Sequence, residues 1–149
     1  MLRDLIRDDM PALLELAREM HQAGVYAAYP MDEARVAYIL TALIDAPQAF
    51  AKGYEVRGNL VGAFVGEVIQ DLWIDVMVGV DHAFYVRASH RRPRAGVVLI
   101  RAFEDWAAAQ GADVVRPVVY AGVDNDAVSA VLKRMGYEAA GAVHKKEAA

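Results

Sequence analysis

The chain has 149 residues, a mass of 16.3 kDa and a formal net charge of −4 at pH 7. Its 56% hydrophobic and 24% charged residues exclude a disordered chain and predict a single domain, residues 1–149. The negative charge argues against a nucleic-acid partner, and the lack of cysteine excludes disulfides, thiolate nucleophiles and thiolate metal sites. Four scattered histidines and the lack of a long apolar run predict no metal centre, no membrane segment and a cytoplasmic protein.

Hydrophobic periodicity predicts both strands and helices. In chain order the predicted elements are a strand at 2–7, a helix from Asp8 or Asp9 to Gly24, a helix near 32–45, a strand at 48–56, a hairpin turn at 57–59, a strand at 60–69, a strand at 82–87, a helix at 97–111, a strand at 116–120, a helix from Asp124 or Asn125 to Gly136, and one or two closing strands at 137–144. The pattern at 70–79 does not distinguish a loop, a bulge and the start of a strand.

The order of these elements predicts the fold class. A hairpin requires antiparallel neighbours, whereas the strand–helix–strand unit at 82–120 favours a parallel pair. We therefore expect an α+β (mixed α/β) domain, with a central, mostly antiparallel sheet and about four helices on its two faces. Gly62 and Gly66 lie inside a predicted strand, where glycine either weakens the strand or lets another backbone approach closely.

The segment Ser89–Ile100 (SHRRPRAGVVLI) places three arginines and a proline directly before an apolar run. A strand that turns sharply into a helix leaves the first helical N–H groups without partners, and the helix dipole adds positive potential there. Arginines add bidentate donors for phosphate oxygens. The alternative is a solvated basic turn, but positive charge at a helix start costs about a few tenths of a kcal/mol per residue. The pattern therefore favours a site for a small anion.

Arg91–Gly96 (RRPRAG) resembles the pyrophosphate-binding loop of the GNAT acyltransferase superfamily, whose signature is Gln/Arg-x-x-Gly-x-Gly/Ala. It matches that signature at the first and last positions. Phe84–Val86 (FYV) is similar to the central strand of the family, and residues 97–112 are similar to its long helix. A later helix with Asn125 at its start and Met135–Tyr137 (MGY) at its end also fits the family, so the resemblance covers nearly the whole chain.

The resemblance implies a splay between two parallel strands that holds the pantetheine arm of acetyl-CoA as co-substrate, without a metal. It also implies direct transfer of an acetyl group to a primary amine of a small-molecule or peptide acceptor, and a homodimer. The lack of cysteine agrees with direct transfer. The implied cofactor-binding residues are Val86 and Ala88 through their main chain, Arg91, Arg92, Arg94, Ala95, Gly96 and Val97 around the pyrophosphate, and the side chain of Asn125 at the pantetheine.

Two positions depart from the family pattern. Arg94 stands where the signature has its first glycine, so the loop takes a variant shape if a positive φ is required there. Arg94 can instead contribute a phosphate contact of its own. Leu132 stands where the family usually carries a tyrosine that protonates the leaving thiolate.

Three residues are therefore candidates for catalytic proton transfer. His82 titrates in a useful range and is predicted to share a strand face with Phe84 and Val86. Glu67 lies on the preceding strand, and Tyr120 ends the strand beside the expected splay, where its phenol can replace the missing acid. The alternatives are a histidine at a sheet end without a chemical role, an outward-facing carboxylate and a tyrosine packed in the core.

These observations favour an N-acetyltransferase that uses acetyl-CoA. One alternative is a non-catalytic acyl-CoA-binding module with the same fold, because Leu132 removes the usual acid. Another is a small α/β protein that binds a different phosphorylated ligand or a protein partner.

Overall fold

The computed structural model describes residues 1–91, 94–118 and 124–148, and these ranges form a mixed α/β fold. The elements are β1 (Leu2–Asp4), α1 (Met10–Ala23), α2 (Glu33–Asp45), β2 (Ala49–Val56), β3 (Asn59–Gln70), β4 (Met77–Val86), α3 (Ala95–Ala109), β5 (Val114–Arg116) and α4 (Asn125–Arg134). Single 3-10 turns precede α1 and follow β4. Within the described part of the chain, no helix has both the length and the apolar character needed to cross a membrane.

The strands form one open sheet in the order β1-β2-β3-β4-β5. Neighbouring strands are antiparallel except for the last pair, in which Val78–Val80 of β4 run parallel to Val114–Arg116 of β5. The structure therefore confirms the predicted mixed, mostly antiparallel sheet. The parallel pair follows from the chain order, because α3 carries the chain back across the sheet before β5 begins.

Helices cover both faces of the sheet, as predicted. On one face, Phe50 and Phe64 pack against Phe103 of α3, and the rings of Phe64 and Phe103 stack with centroids 4.5 Å apart. The opposite face is covered by α1 and α2, which bury Leu16 and Leu40 against β3 and its neighbours. Each face thus has its own apolar core, and the sheet separates the two.

The hairpin turn and the glycine that ends α4 are as predicted, and α2 has a side-chain cap in addition. Arg57 and Gly58 have φ values of 51° and 79°, as a two-residue hairpin between right-twisted strands requires. The Asp32 carboxylate caps α2 by accepting the main-chain N–H of Arg35 at 3.0 Å. Gly136 follows α4 with a φ of 99°, a conformation that favours glycine at the end of a helix.

Three strand predictions need correction. β4 begins at Met77, well before the predicted start at residue 82. The strand predicted at 116–120 is instead Val114–Arg116, because Pro117 has no N–H group with which to extend a ladder; residues 119 and 120 lie outside the described residues. The described residues 137–148 contain neither a helix nor a strand. This segment is mostly exposed and rich in alanine, so it offers little apolar surface to pack on a sheet.

Gly66 lets β3 lie close to both β4 and α3. A Cβ atom there would lie 2.5 Å from the carbonyl oxygen of Val80 and 2.9 Å from the Phe103 ring. We expect Gly66→Ala to lower the free energy of unfolding by about 1–3 kcal/mol, measured by urea denaturation, because neither backbone nor buried ring has room to shift.

The matched control for this variant is Gly141→Ala, because a Cβ atom at Gly141 meets nothing within 4 Å. We expect the control to unfold at the urea concentration of the parent protein. Equal midpoints for the two variants would contradict the close approach at Gly66.

Candidate active site

A crevice opens where β4 and β5 separate. Within the described residues their pairing ends at Val80 and Arg116. β4 continues to Val86, whereas Pro117 and Val118 belong to no strand. The crevice crosses the sheet, because Met20 of α1 lines it on one side and residues of α3 and α4 line it on the other. Most of its lining is apolar, as in sites that hold the body of a small ligand.

β4 presents main-chain hydrogen-bonding groups to this crevice. The N–H of Arg87 donates to the carbonyl oxygen of Val61 in β3 at 2.9 Å. Successive residues of a strand direct their main-chain groups to opposite sides, so those of Phe84 and Val86 face away from β3 and into the crevice. The Val86 main chain, which the resemblance implies as a partner of the pantetheine arm, therefore faces the crevice; its contact with a cofactor stays a prediction.

β4 contains a β-bulge at His82. Val65 and Gly66 are consecutive in β3, but they pair with Ala83 and Asp81, so that His82 is the extra residue. Directly paired residues of an antiparallel ladder share a face of the sheet. Asp81 therefore lies on the face of Gly66, which is the face covered by α3.

The bulge reverses the face that alternation predicts for His82. Gly66 of β3 faces α3, so the next residue, Glu67, lies on the opposite face, which α1 and α2 cover. On that face the Nε2 atom of His82 is hydrogen-bonded to the Glu67 carboxylate, and both side chains are partly exposed. Phe84 packs in the core of the α3 face. The prediction that His82 shares a face with Phe84 and Val86 is therefore wrong, and Asp81 occupies that face instead.

The Asp81 carboxylate lines the crevice at the point where the two strands separate. Its Oδ1 atom accepts the main-chain N–H of Val118 at 2.7 Å. Burial raises the pKa of the Asp81 carboxyl, although the hydrogen bond from Val118 opposes that shift. At the other end of the parallel pair, Oδ2 of Asp113 accepts the main-chain N–H of Met77 at 2.9 Å. The Asp81 and Asp113 carboxylates thus lie at opposite ends of the short ladder between β4 and β5.

Arg91 connects the end of β4 to the start of α4 across the crevice. Its Nε donates to the carbonyl oxygen of Val86 at 2.9 Å, and its Nη1 donates to the Asp124 carboxylate. The guanidinium carbon also lies 5.3 Å from the ring centroid of Tyr85, within the range of a cation–π interaction. Asp124 adopts a φ of 48°, a left-handed conformation that aspartate tolerates better than most residues.

The arginine-rich loop leads directly into α3. Arg92 lies outside the described residues, so its predicted contact stays a prediction. Arg94 is exposed and has a φ of −61°, so an arginine fits at this signature position without backbone strain. Ala95, Gly96 and Val97 form the first turn of α3, whose N–H groups have no intrahelical partners.

The remaining predicted residues are distributed around the crevice. Asn125 begins α4 and lines the crevice, as does Leu132, which is buried where the family usually carries a tyrosine. Ala88 lies in the 3-10 turn beyond β4 and is exposed. Tyr120 lies outside the described residues.

Sequence reasoning missed Asp81 as a site residue and treated Asp124 only as a helix cap. The predicted strand began at His82, so Asp81 was placed before it. A charged residue inside the apolar run Met77–Val86 (MVGVDHAFYV) was the available signal. No pattern in the sequence indicated the contact between Asp124 and Arg91, which joins residues 33 positions apart.

Residues 8–137 match the acetyltransferase (GNAT) family. Among curated proteins, none matches the chain. Similar solved structures include a ribosomal-protein-alanine N-acetyltransferase from Brucella melitensis biovar Abortus 2308, with 19% identity over 99% of each chain and a TM-score of 0.72. An aminoglycoside antibiotic 6'-N-acetyltransferase from Acinetobacter haemolyticus has 16% identity over 99% of this chain and 97% of its own, with a TM-score of 0.75.

A further similar structure is that of AAC(6')-Iy in complex with the bisubstrate analogue CoA-S-monomethyl-acetylneamine. It has 14% identity over 99% of this chain and 96% of its own, with a TM-score of 0.74. At these identities the likeness to the solved structures concerns the fold.

The raised pKa of Asp81 predicts a pH-dependent effect on stability. Folding disfavours the ionised carboxylate, so the contribution of Asp81 to stability is lost as pH rises through its folded-state pKa. Asn keeps an oxygen that can accept the N–H of Val118. We expect the Tm of Asp81→Asn, relative to that of the parent, to increase as the pH rises above about 4, the ordinary pKa of an aspartate carboxyl, measured by calorimetry.

Asp113→Asn is the matched control, because Asp113 also accepts a main-chain N–H but is exposed. An equal gain in both variants would show that the effect does not come from the burial of Asp81.

Proposed function

Because the chain belongs to the acetyltransferase (GNAT) family, we propose that it transfers an acetyl group from acetyl-CoA directly to a primary amine. The observation that carries this proposal is the crevice between β4 and β5. It combines an apolar lining with main-chain groups of Phe84 and Val86, and it lies beside the start of α3. A pantetheine arm needs a narrow slot with amide partners, and a pyrophosphate needs N–H donors and positive charge.

The residues present fit acetyl-CoA. The main chain of Phe84 and Val86, with the side-chain amide of Asn125, would hold the pantetheine arm within the crevice. The first-turn N–H groups of α3 would hold the pyrophosphate, where the helix dipole favours negative charge. The guanidinium groups of Arg91 and Arg94 lie at either end of the same loop and would add charge-assisted hydrogen bonds. Acetyl-CoA supplies the acetyl group as a thioester.

The acceptor nitrogen attacks directly, because the chain has no cysteine to carry the acetyl group. An amine attacks only when neutral, so a group must accept its proton. His82 and Glu67 are hydrogen-bonded on the α1–α2 face and partly exposed, which suits proton exchange with solvent. We assign the protonation of the leaving sulfur to Tyr120, because Leu132 has no proton to donate.

The acceptor class is a primary amine on a small molecule or a peptide. Two similar structures bear names that refer to these classes, a ribosomal-protein-alanine N-acetyltransferase and an aminoglycoside 6'-N-acetyltransferase. A test panel therefore contains a peptide with an N-terminal alanine, neamine, kanamycin and spermidine. Release of free CoA thiol from acetyl-CoA is measured with each amine, and the product is identified by mass spectrometry.

Turnover with one or more of these amines supports the proposal. Tight acetyl-CoA binding without turnover on any amine, measured by calorimetry alongside the thiol assay, would instead support a non-catalytic acyl-CoA-binding module. Absence of both binding and turnover would overturn the proposal.

Charge reversal at Arg94 tests the pyrophosphate site. Arg94 is exposed at the start of α3, so a carboxylate there would repel a bound pyrophosphate without disturbing the core. We expect Arg94→Glu to weaken acetyl-CoA binding by about tenfold, measured by calorimetry at low ionic strength, and by less at high salt.

Arg101→Glu provides the matched control, since it makes the same change in net charge at an exposed position two turns further along α3. The affinity of Arg101→Glu for acetyl-CoA should stay within about twofold of the parent value. This would show that the position of the charge, and not the net charge of the protein, determines acetyl-CoA affinity. If Arg94→Glu binds acetyl-CoA like the parent, Arg94 is not a contact.

Tyr120→Phe tests the proposed acid. Loss of a general acid typically lowers turnover by about 100-fold, because the thiolate then leaves without a proton donor. We expect this loss in the thiol-release assay, with acetyl-CoA affinity unchanged in calorimetry. The control is Tyr38→Phe, which removes a hydroxyl from an exposed tyrosine on α2. Parental turnover in Tyr120→Phe would remove the residue from the mechanism.

A further inference from the structure

We propose that Arg91 determines which acetyl donors the crevice accepts, because its guanidinium lies where a pantetheine arm would lie and leaves that place in exchange for phosphate. Donors that carry phosphate beside the arm are then accepted, and thioesters that consist of the arm alone are accepted poorly. The inference rests on the proposed acetyl transfer. It gives Arg91 a second role, in donor specificity, beside its proposed contact with the pyrophosphate.

Arg91 occupies a main-chain acceptor that the arm would need. Its Nε atom donates to the carbonyl oxygen of Val86 at 2.9 Å. The main-chain groups of Val86 face the crevice, because in this part of β4 it is the N–H of the next residue, Arg87, that bonds to Val61 of β3. An extended ligand along the end of β4 would donate one of its amide N–H groups to the same oxygen. The Arg91 side chain therefore makes the hydrogen bond that the arm would make.

The guanidinium of Arg91 also reaches from one face of the sheet to the other. Its central carbon lies 5.3 Å from the centroid of the Tyr85 ring, which packs against the core beneath α1 and α2. Its Nη1 atom donates to the carboxylate of Asp124, directly before α4. α4 packs in the core of the other face through Leu132. Arg91 thus extends across the crevice between the end of β4 and the start of α4, the two elements proposed to hold the arm.

A donor without phosphate cannot compensate Arg91 for the contacts that it must give up. The guanidinium is partly buried, and it would lose a carbonyl oxygen and the contact with a carboxylate. A pantetheine arm offers it neutral amide groups only, and hydrogen bonds between charged partners are about twice as strong as those between neutral ones. A pyrophosphate at the start of α3 offers charged oxygens instead, and α3 begins at Ala95, in the loop that Arg91 opens.

Bidentate binding of phosphate by Arg91 through its Nε edge releases Val86. Arginine binds phosphate bidentately through two parallel N–H groups on one edge of its planar guanidinium. On the edge that Nε shares with Nη2, one of these two N–H groups is the one that Val86 accepts. Phosphate bound at this edge therefore frees the Val86 carbonyl oxygen, which the arm of the same molecule can then use.

The test measures kcat/KM in the thiol-release assay with two donors, acetyl-CoA and S-acetylpantetheine, which has the arm and the thioester but no phosphate. The acceptor is the amine of the panel that gives the highest turnover. We expect Arg91→Ala to raise kcat/KM for acetylpantetheine by about fivefold, because the arm no longer competes with the guanidinium. For acetyl-CoA, kcat/KM should fall by about tenfold, because a charged contact with the pyrophosphate is lost.

Arg94→Ala is the matched control, because it removes an exposed arginine from the other end of the same loop. It should lower kcat/KM for acetyl-CoA and should not raise kcat/KM for acetylpantetheine, since Arg94 lies at the start of α3 and not against Val86. An equal rise with acetylpantetheine in both variants would overturn the inference, because the rise would then follow from the lower positive charge of the loop.

Asp124→Asn loosens Arg91 while leaving its guanidinium available to the pyrophosphate. Asparagine tolerates the φ of 48° at this position. We expect the affinity for acetyl-CoA, measured by calorimetry, to rise by about threefold, the size of effect that a single exposed ion pair produces. Asp126→Asn makes the same change in net charge at an exposed position in the first turn of α4 and should keep the parental affinity. Equal rises in the two variants would contradict a role for the contact between Asp124 and Arg91.

A crystal structure of the complex with acetyl-CoA gives a readout that does not depend on activity. In this complex the carbonyl oxygen of Val86 should accept an amide N–H of the arm, and the guanidinium of Arg91 should contact the pyrophosphate. An Arg91 side chain that keeps its hydrogen bond to Val86 beside a bound arm would overturn the inference.

The failure of the inference and the failure of the proposed function give different results. Unchanged, lower or undetectable turnover of acetylpantetheine by Arg91→Ala, together with turnover of acetyl-CoA by the parent, would overturn the inference while the proposed acetyl transfer stands. Arg91 would then be a phosphate contact alone. Absence of turnover of acetyl-CoA by the parent with every amine would instead overturn the proposed function on which the inference rests.

Discussion

Within the described part of the chain, the pairing of β4 with β5 is restricted to three residues on each strand, and the candidate site depends on that restriction. Pro117 cannot continue the ladder, and the N–H of Val118 bonds to the side chain of Asp81 instead of to a strand. Among the described residues, the end of β4 up to Val86 therefore has no pairing with β5, and α4 begins across the crevice. Had the parallel ladder continued, it would have filled this gap with main-chain hydrogen bonds, leaving no slot for a ligand.

The features of the fold that depend on short-range chemistry were predictable from the sequence. The hairpin at Arg57 and Gly58, the end of α4 at Gly136 and the helical periodicity of the segments that cover the sheet each follow from residues close together in the chain. The misplaced elements depend on distant partners. The place of β5 is set by its pairing with β4, and the predicted closing strands at 137–144 found no place in the sheet. Propensity alone does not contain this information.

In the candidate site, too, the features set by local sequence were predictable, whereas those set by the pairing of distant strands were not. The resemblance identified the loop before α3 and the end of β4 at Val86, because their residue types stand in a recognisable order. The side chains within the crevice were harder to predict, since the bulge at His82 exchanges the faces of His82 and Asp81. A bulge of this kind arises from the register between two strands, and a strictly alternating pattern misassigns every residue on one side of it.

The contact between Arg91 and Asp124 has a consequence for which anions the crevice admits. The guanidinium already has a counterion from its own chain, so a chloride or inorganic phosphate must displace a tethered carboxylate in order to bind there. A simple ion has little to offset that loss. A ligand that joins a phosphate to a long apolar arm gains the burial of the arm as well. The pair therefore favours a ligand that joins a phosphate to an apolar arm over a small anion of the same charge.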